Sequence, residues 1–294
     1  MKFGVQTLCF GETVGEQAEF IVGTGKALED RGFNTIWTAE HVVSFPNYES
    51  DYPYADDGVP PFDTSAGIIE PYTLLAFLSA HTSTLRLGTG ITLLPQRNPV
   101  YVAKQAADVD VLSGGRMVIG IGTGWSSEEF GALNVPFEHR GSRTRDYLQV
   151  MRSLWCDDIS SFEGEYYSLP ECVLAPKPLQ KPHPPLFFGG ESNAALRRVA
   201  EFGQGWMGYR LTPESLTERL KKLSKMLAEY GRSLSDIEIS ISPYDTTCDM
   251  DTIKRFSDLG VKELILVGFA DSLAQMEQIL DGYAETLVVP AANI

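Results

Sequence analysis

The chain has 294 residues, 43% of them hydrophobic, and its 24 basic and 39 acidic residues give a formal net charge of −15. This length allows one large domain or two of roughly 100–200 residues. The acidic balance disfavours nucleic acid and anionic membrane surfaces, since proteins that bind them carry basic patches. Cysteines at positions 9, 156, 172 and 248 show no C-x-x-C spacing. With no evident leader or membrane-length apolar run, these thiols predict a cytoplasmic protein.

Eight short, mostly apolar runs predict β-strands that are covered on both faces. They begin near Lys2, Thr35, Leu85, Arg116, Pro185, Gly205, Ile237 and Glu263. Helical patterns separate them, such as the one that starts at Thr212-Pro213 and stops at Gly231. Eight such units in a chain of this length favour a (β/α)8 TIM barrel, and a doubly wound open sheet is the alternative. Because no linker or second core is evident, we predict a single domain over 1–294.

Two connections are unusually long. Residues 42–69 follow the second predicted strand, and residues 125–184 follow the fourth. Both leave the C-terminal ends of strands, which is the face where barrel active sites lie. We therefore expect lids or substrate walls here, and decorative or oligomer-forming insertions are the alternative.

Glycines recur at every second residue in the fourth predicted strand, at Gly120, Gly122 and Gly124, and so share one face. The third predicted strand carries Gly88 and Gly90. Strand glycines often mark the close approach of a ligand or of another backbone. We expect a flat slot that fits a planar ring system, with tight core packing or a bulge as the alternative.

Two further features lie at predicted strand ends. Gly189, Gly190 and Glu191 connect a strand to a helix, where backbone N–H groups and the helix dipole can bind a phosphate. The Glu191 carboxylate would repel that phosphate unless it turns away, and such a connection is also common in proteins without a ligand. His41 ends the second strand, a position suited to proton transfer or to a hydrogen bond with a cofactor. The alternative is a structural histidine.

The chain lacks other chemical signatures. The run Gly120–Gly124 is not a dinucleotide fingerprint, and no P-loop, metal-binding histidine motif, Schiff-base lysine at a strand's C-terminal end or nucleophile elbow is present. We therefore expect no metal, and any hard chemistry would come from a cofactor.

Nearly the whole chain resembles the bacterial luciferase-like superfamily of flavin- and deazaflavin-dependent oxidoreductases, which are (β/α)8 barrels. The most specific block is Gly122–Trp125 followed by Glu128–Phe130 and then Phe137–Gly141, and it resembles the probable coenzyme F420-dependent subgroup. The other matching segments are Lys2–Val5, Gly32–Trp37 with Glu40 and His41, Arg86–Ile91, Arg97–Gln105, Leu112–Arg116 and Pro176–Pro182.

The resemblance implies roles for single residues. Gly90 and Ile91 match the position of a cis peptide that presses on the cofactor ring, and Asn98 would support the same wall. Gly122 and Gly124 would line the ring slot. The cofactor-binding set implied in this way is His41, Gly90, Ile91, Asn98, Gly122, Gly124, Gly189, Gly190 and Glu191.

One residue departs from the pattern. Members of the superfamily that act on a sugar phosphate carry a carboxylate where this chain has Trp125. The departure puts such a substrate in doubt, and an aromatic side chain at this position suggests an apolar or planar one.

These observations predict an oxidoreductase that transfers hydride between coenzyme F420 and an unidentified small organic substrate, with His41 as the catalytic residue. An alternative within the class uses reduced FMN, molecular oxygen and a partner reductase, as a monooxygenase does. An alternative from another class is a non-catalytic flavin-binding barrel. The superfamily also suggests a homodimer.

Overall fold

The computed structural model describes residues 1–7, 15–60, 67–244 and 248–294, which excludes Cys9. The described strands are β1 (Lys2–Thr7), β2 (Thr35–Thr38), β3 (Arg86–Leu93), β4 (Met117–Gly122), β5 (Ser160–Glu163), β6 (Ser168–Cys172), β7 (Leu186–Gly189), β8 (Gly205–Tyr209), β9 (Glu238–Ser242) and β10 (Glu263–Val267). The described α-helices are α1 (Gln17–Asp30), α2 (Pro71–Ser79), α3 (Pro99–Leu112), α4 (Ser127–Ala132), α5 (Arg140–Cys156), α6 (Asn193–Phe202), α7 (Pro213–Glu229), α8 (Met250–Asp258) and α9 (Leu273–Tyr283).

The parallel strands close into a barrel in the order β1-β2-β3-β4-β7-β8-β9-β10, and β1 pairs with both β10 and β2. All eight predicted strands are present, so the (β/α)8 TIM barrel is confirmed. The doubly wound sheet is wrong because the sheet has no open edge. No helix in the described part of the chain is long and apolar enough to cross a bilayer. The single domain stays a prediction.

The two long connections leave the C-terminal end of the barrel, which we call the mouth. Between β2 and α2 the described residues form no helix or strand, although Tyr52 N–H bonds the Gly58 carbonyl and closes a compact loop. Between β4 and β7 the chain adds the short helix α4 and the antiparallel hairpin β5–β6 to the barrel helix α5. Both insertions therefore contribute residues at or near the mouth.

The glycines of β1 and β3 accommodate a tryptophan inside the barrel. A Cβ at Gly88 would lie 2.4 Å from Trp37 Cε3, and one at Gly4 would lie 2.9 Å from its Nε1. The buried cluster around this indole consists of Trp37, Val118, Phe187, Met207 and Ile265. The Gly88 face is therefore part of a packed interior.

A buried carboxylate ties the strands together below this indole. Glu263 of β10 is fully buried, and it accepts hydrogen bonds from Thr35 Oγ1 at 2.6 Å and Asn34 Nδ2 at 3.0 Å. Trp37 Nε1 at 3.2 Å and Ser240 Oγ at 3.3 Å donate to its other oxygen. These donors offset the cost of burying the group, and they join β2, β9 and β10.

The packing around Trp37 predicts opposite effects for two glycine substitutions. Gly88→Ala should destabilise the protein by about 1–3 kcal/mol, because the added methyl group would overlap a rigid indole. Gly282→Ala, in the exposed last turn of α9, should be neutral or stabilising by up to about 1 kcal/mol, since nothing lies within 4 Å of the new atom. Urea denaturation measures both, and equal free energies of unfolding for the two variants would contradict the packing argument.

Candidate active site

A histidine and a buried carboxylate meet at the mouth. His41 follows the end of β2, and its Nδ1 lies 3.1 Å from Oε1 of Glu129 in α4. The Glu129 side chain is fully buried and also accepts a hydrogen bond from Val42 N–H at 3.2 Å. An acceptor at Nδ1 favours the tautomer with its proton there, which makes Nε2 the basic ring nitrogen. Glu129 thus fixes both the position and the tautomer of the predicted catalytic residue.

An ion-pair network holds the chain next to His41. The buried Glu40 carboxylate binds Arg97 and accepts a hydrogen bond from Leu93 N–H at 2.6 Å, while Arg97 also pairs with Glu70 at 2.6 Å. Glu40 directly precedes His41, and Leu93 is the last residue of β3. The network therefore fixes the ends of β2 and β3 relative to each other.

The glycine face of β4 is covered by a side chain. The peptide bond between Gly90 and Ile91 is cis, as the resemblance implies. The Ile91 side chain lies against Gly122, where a Cβ would stand 1.9 Å from its Cδ1, and against Gly189, where a Cβ would stand 3.3 Å away. The expected open slot is therefore wrong, because these glycines make room for Ile91. Contact of Gly90, Ile91 or Gly122 with a cofactor stays a prediction.

Two other predicted cofactor residues have local structural roles. Asn98 caps α3 by accepting hydrogen bonds from Val100 N–H at 3.0 Å and Tyr101 N–H at 3.3 Å. Gly124 has φ +76°, which favours glycine, and its carbonyl accepts a hydrogen bond from Arg140 Nε at 3.1 Å. Any role of Asn98 and Gly124 toward a cofactor stays a prediction.

The predicted phosphate loop follows β7. Gly190 has φ +98° and its carbonyl accepts a hydrogen bond from Trp206 Nε1 at 3.0 Å. The Glu191 carboxylate accepts one from Tyr209 N–H, at the end of β8, at 2.6 Å, and burial raises the pKa of this carboxyl. Glu191 is therefore engaged by the neighbouring strand, and Ser192 caps α6 through Ala195 N–H.

Aromatic rings form an arc across the mouth. Trp125 contacts His41, Tyr48 and Tyr52, with ring centroids 6.0, 5.1 and 5.3 Å apart. The arc continues through Tyr54, Tyr209 and Tyr244, with centroid distances of 5.7 Å from Tyr52 to Tyr54, 4.9 Å from Tyr54 to Tyr209 and 5.2 Å from Tyr209 to Tyr244. We call Tyr48, Trp125, Tyr52, Tyr54, Tyr209 and Tyr244 the aromatic arc.

The aromatic arc is neutral as well as apolar. Burial raises the pKa of the Tyr54 and Tyr209 phenols, so both hydroxyls keep their protons at physiological pH. Sequence reasoning named Trp125 but missed Tyr209 and Tyr244. Their place at the ends of the sixth and seventh predicted strands was a signal that could have found them.

A second carboxylate anchors the loop that supplies these tyrosines. Glu128 of α4 accepts hydrogen bonds from Glu49 N–H at 2.5 Å and Ser50 N–H at 2.9 Å, and Ser50 Oγ lies 2.8 Å from Ser127 Oγ. Partial burial opposes ionisation of Glu128, but hydrogen bonds from Ser50 N–H, its own N–H and the side chains of Ser50 and Ser126 lower its pKa to about 2. The loop is thus attached to α4 by an ionised carboxylate over the physiological pH range.

The other histidines lie away from the pair of His41 and Glu129. His183 Nδ1 lies 2.8 Å from the Pro184 carbonyl oxygen and its ring packs against Trp155, His139 packs against Tyr166, and His81 packs against Phe77. Within the described ranges, the His, Cys, Asp and Glu side chains form no group of three that could hold a metal ion.

The barrel, the long loops at its mouth and the histidine held by a carboxylate are features of a barrel enzyme. A model of the luciferase-like monooxygenase family matches residues 1–247. An uncharacterised protein of Mycobacterium tuberculosis is 35% identical over 252 residues, which cover 85% of each chain. The chain therefore belongs to the luciferase-like monooxygenase family, and the predicted enzyme class is confirmed.

More distant matches show the same fold or part of the same sequence. The FMNH2-dependent dimethylsulfone monooxygenase of Pseudomonas putida is 37% identical over 140 residues, 47% of this chain and 38% of that enzyme. The coenzyme F420-dependent tetrahydromethanopterin reductase of Methanopyrus kandleri superposes with a TM-score of 0.74 at 17% identity, over 98% of this chain and 99% of that one. An F420-dependent secondary alcohol dehydrogenase superposes with a TM-score of 0.75 at 18% identity, over 98% of each chain.

The anchor at Glu128 generates a prediction about the loop. Glu128→Gln should speed backbone amide exchange in residues 42–58, because the neutral amide is a weaker acceptor for the two N–H groups. Hydrogen-exchange mass spectrometry measures this change. Glu49→Gln is the matched control, since it alters a neighbouring exposed carboxylate and leaves the anchor in place. Equal exchange in the wild type and Glu128→Gln would contradict the anchor.

The same contact has a defined pH dependence. Because the folded-state pKa of Glu128 lies below the ordinary carboxyl value, its stabilising effect is present above that ordinary value and is lost as the pH falls toward 2. The difference in loop protection between the wild type and Glu128→Gln should therefore be the same at pH 7 and pH 5. A difference that disappears between these two values would contradict the lowered pKa of Glu128.

Proposed function

We propose that the protein is an F420-dependent oxidoreductase that transfers hydride between the deazaflavin and a neutral, apolar or planar organic substrate. The observation that carries this proposal is the pair of His41 and the buried Glu129 at the end of β2, next to the aromatic arc. A histidine oriented in this way is equipped to move one proton at a reacting oxygen while the hydride goes elsewhere.

The mouth offers groups that fit a flavin-type cofactor. Ser242, the last residue of β9, has a buried hydroxyl without a hydrogen-bond partner among the described residues. It is two residues beyond Ser240, whose side chain bonds Glu263 inside the barrel, so it faces the same interior. An orphaned buried hydroxyl calls for an explanation, and a polar ligand in the mouth provides one. Partly exposed Ile91 and the Gly189–Glu191 loop are the predicted ring and phosphate contacts.

When bound, a deazaflavin supplies the carbon atom that gives or takes the hydride. The protein's own residues do the rest. His41 Nε2 accepts the proton of the reacting oxygen, or returns it in the reverse direction, and the Glu129 carboxylate stabilises the imidazolium that forms. The aromatic arc positions an apolar substrate and keeps water out.

A reduced-FMN monooxygenase is the second candidate, and it is favoured by the local identity with the dimethylsulfone monooxygenase. Oxygen uptake separates the two, because hydride transfer with a deazaflavin needs no oxygen. We expect F420 turnover to proceed under anaerobic conditions. Turnover that requires both oxygen and reduced FMN would support the monooxygenase, and a cofactor complex without any turnover would favour the non-catalytic barrel.

The homodimer, the reductase partner and the cytoplasmic location stay predictions.

His41→Ala should lower kcat by about 10²–10⁴-fold and leave the Kd of the cofactor within a few-fold of the wild type, because the side chain moves a proton and contributes little binding. Stopped-flow absorbance at the cofactor band measures the first, and a fluorescence titration measures the second. His81→Ala is the control, since this ring lies at the end of α2 against Phe77. Full turnover in His41→Ala would remove the catalytic role.

A further inference from the structure

Arg198 of α6 carries a charge for which the described residues provide no counter-ion. Its side chain is partly buried, and within residues 1–7, 15–60, 67–244 and 248–294 it has neither a hydrogen bond nor an ion pair. Its guanidinium lies 3.6 Å from where a Cβ of Gly141 would stand, in the first turn of α5. Burial and the neighbouring charge of Arg140 both lower the pKa of Arg198.

Two other partly buried arginines of this chain, Arg97 and Arg116, are satisfied. Arg97 binds two carboxylates, and Arg116 donates to Ser113, Leu85, Ser79 and Thr82. Arg197, next to Arg198 on the same helix, is exposed and pairs with Glu229 at 2.9 Å. A buried cation without a partner is unfavourable, and a second cation nearby makes it more so. The pair of Arg198 and Arg140 therefore matches an anion that the described part of the chain does not supply.

The pair lies on the mouth side of the barrel. Arg140 Nε donates to the carbonyl of Gly124, two residues beyond the end of β4. Helical side chains lean toward the helix N-terminus, so Arg198 covers the turn around Ala194. Gly190 packs on that same turn, with 3.3 Å between its Cβ position and the Ala195 Cβ. Arg198 thus lies one helical turn after Ala195, the residue that packs against Gly190.

The charges around the pair favour an anion on balance. Glu138 acts on Arg140 electrostatically without forming an ion pair, and the Glu191 carboxylate is bound by Tyr209 N–H. Arg219 of α7 adds a third positive charge that acts on Glu191. The planar guanidinium group donates two parallel hydrogen bonds to phosphate oxygens, which gives both affinity and a fixed orientation.

We propose that Arg198, together with Arg140, binds the phosphoryl group of the cofactor. This rests on the proposed function, because the phosphoryl group is shared by coenzyme F420 and FMN. The sequence could not reveal the residue, since Arg197 and Arg198 are indistinguishable until the ion pair of Arg197 with Glu229 is known.

The test compares phosphorylated and unphosphorylated forms of each ring system. Fluorescence titration gives the Kd of FMN against riboflavin, and of F420 against its deazaflavin chromophore without the phosphate, for the wild type, Arg198→Gln and the matched control Arg197→Gln. We expect Arg198→Gln to weaken the phosphorylated form by about 10- to 100-fold, as is typical of a charge-assisted hydrogen bond, and to leave the unphosphorylated form unchanged. Arg197→Gln should change neither, and circular dichroism verifies the fold of both variants.

Equal weakening of both forms, or no weakening, would overturn the role of Arg198. If the wild type binds none of these rings, the cofactor proposal fails, and the anion site is then tested with inorganic pyrophosphate. A rise in Tm with pyrophosphate in the wild type and Arg197→Gln, and none in Arg198→Gln, would support the site. No rise in the wild type would refute it.

Discussion

The contact between the Glu129 carboxylate and His41 connects the parts of the site that function requires. Glu129 belongs to the insertion after β4, and His41 belongs to the end of β2, so one buried group joins two units of the barrel. A carboxylate is removed from water here at a cost that is offset by the imidazole and by Val42 N–H. Trp125 contacts His41, with ring centroids 6.0 Å apart, and so the aromatic arc is connected to the same histidine.

Rigidity below the mouth makes this arrangement possible. Trp37 fills the barrel interior, the buried Glu263 joins three strands beneath it, and Ile91 covers the glycine face of β4. A packed interior leaves the strand ends in fixed positions, while the loops that follow them are free to differ between relatives. The fold alone therefore does not define the substrate.

The strands and both insertions were predictable, because apolar runs, turn residues and connection lengths are local features of the sequence. The contacts between side chains that are far apart in the sequence were not predictable. Gly122 and Ile91 are far apart in the chain, and only the register of β3 and β4 shows that the isoleucine occupies the space over the glycine. An empty slot and a filled one give the same glycine spacing, so the sequence could not distinguish them.

The roles of charged residues were likewise not predictable from the sequence. Glu128 and Glu129 are adjacent in the sequence, but one anchors a loop by its backbone and the other binds a histidine. Likewise Glu191 repels or tolerates an anion depending on a single hydrogen bond to Tyr209. Contacts between residues that are distant in the sequence decide the role of each carboxylate, and a pattern of residue types does not reveal these contacts.

The central claim is that the mouth of this barrel binds a deazaflavin. A titration of the purified wild-type protein with coenzyme F420 and with FMN, each oxidised and reduced, followed by absorbance and fluorescence, tests that claim most directly. We expect saturable binding of F420 with a Kd in the micromolar range and weaker binding of FMN. Preference for reduced FMN, or no binding of either cofactor, would contradict it.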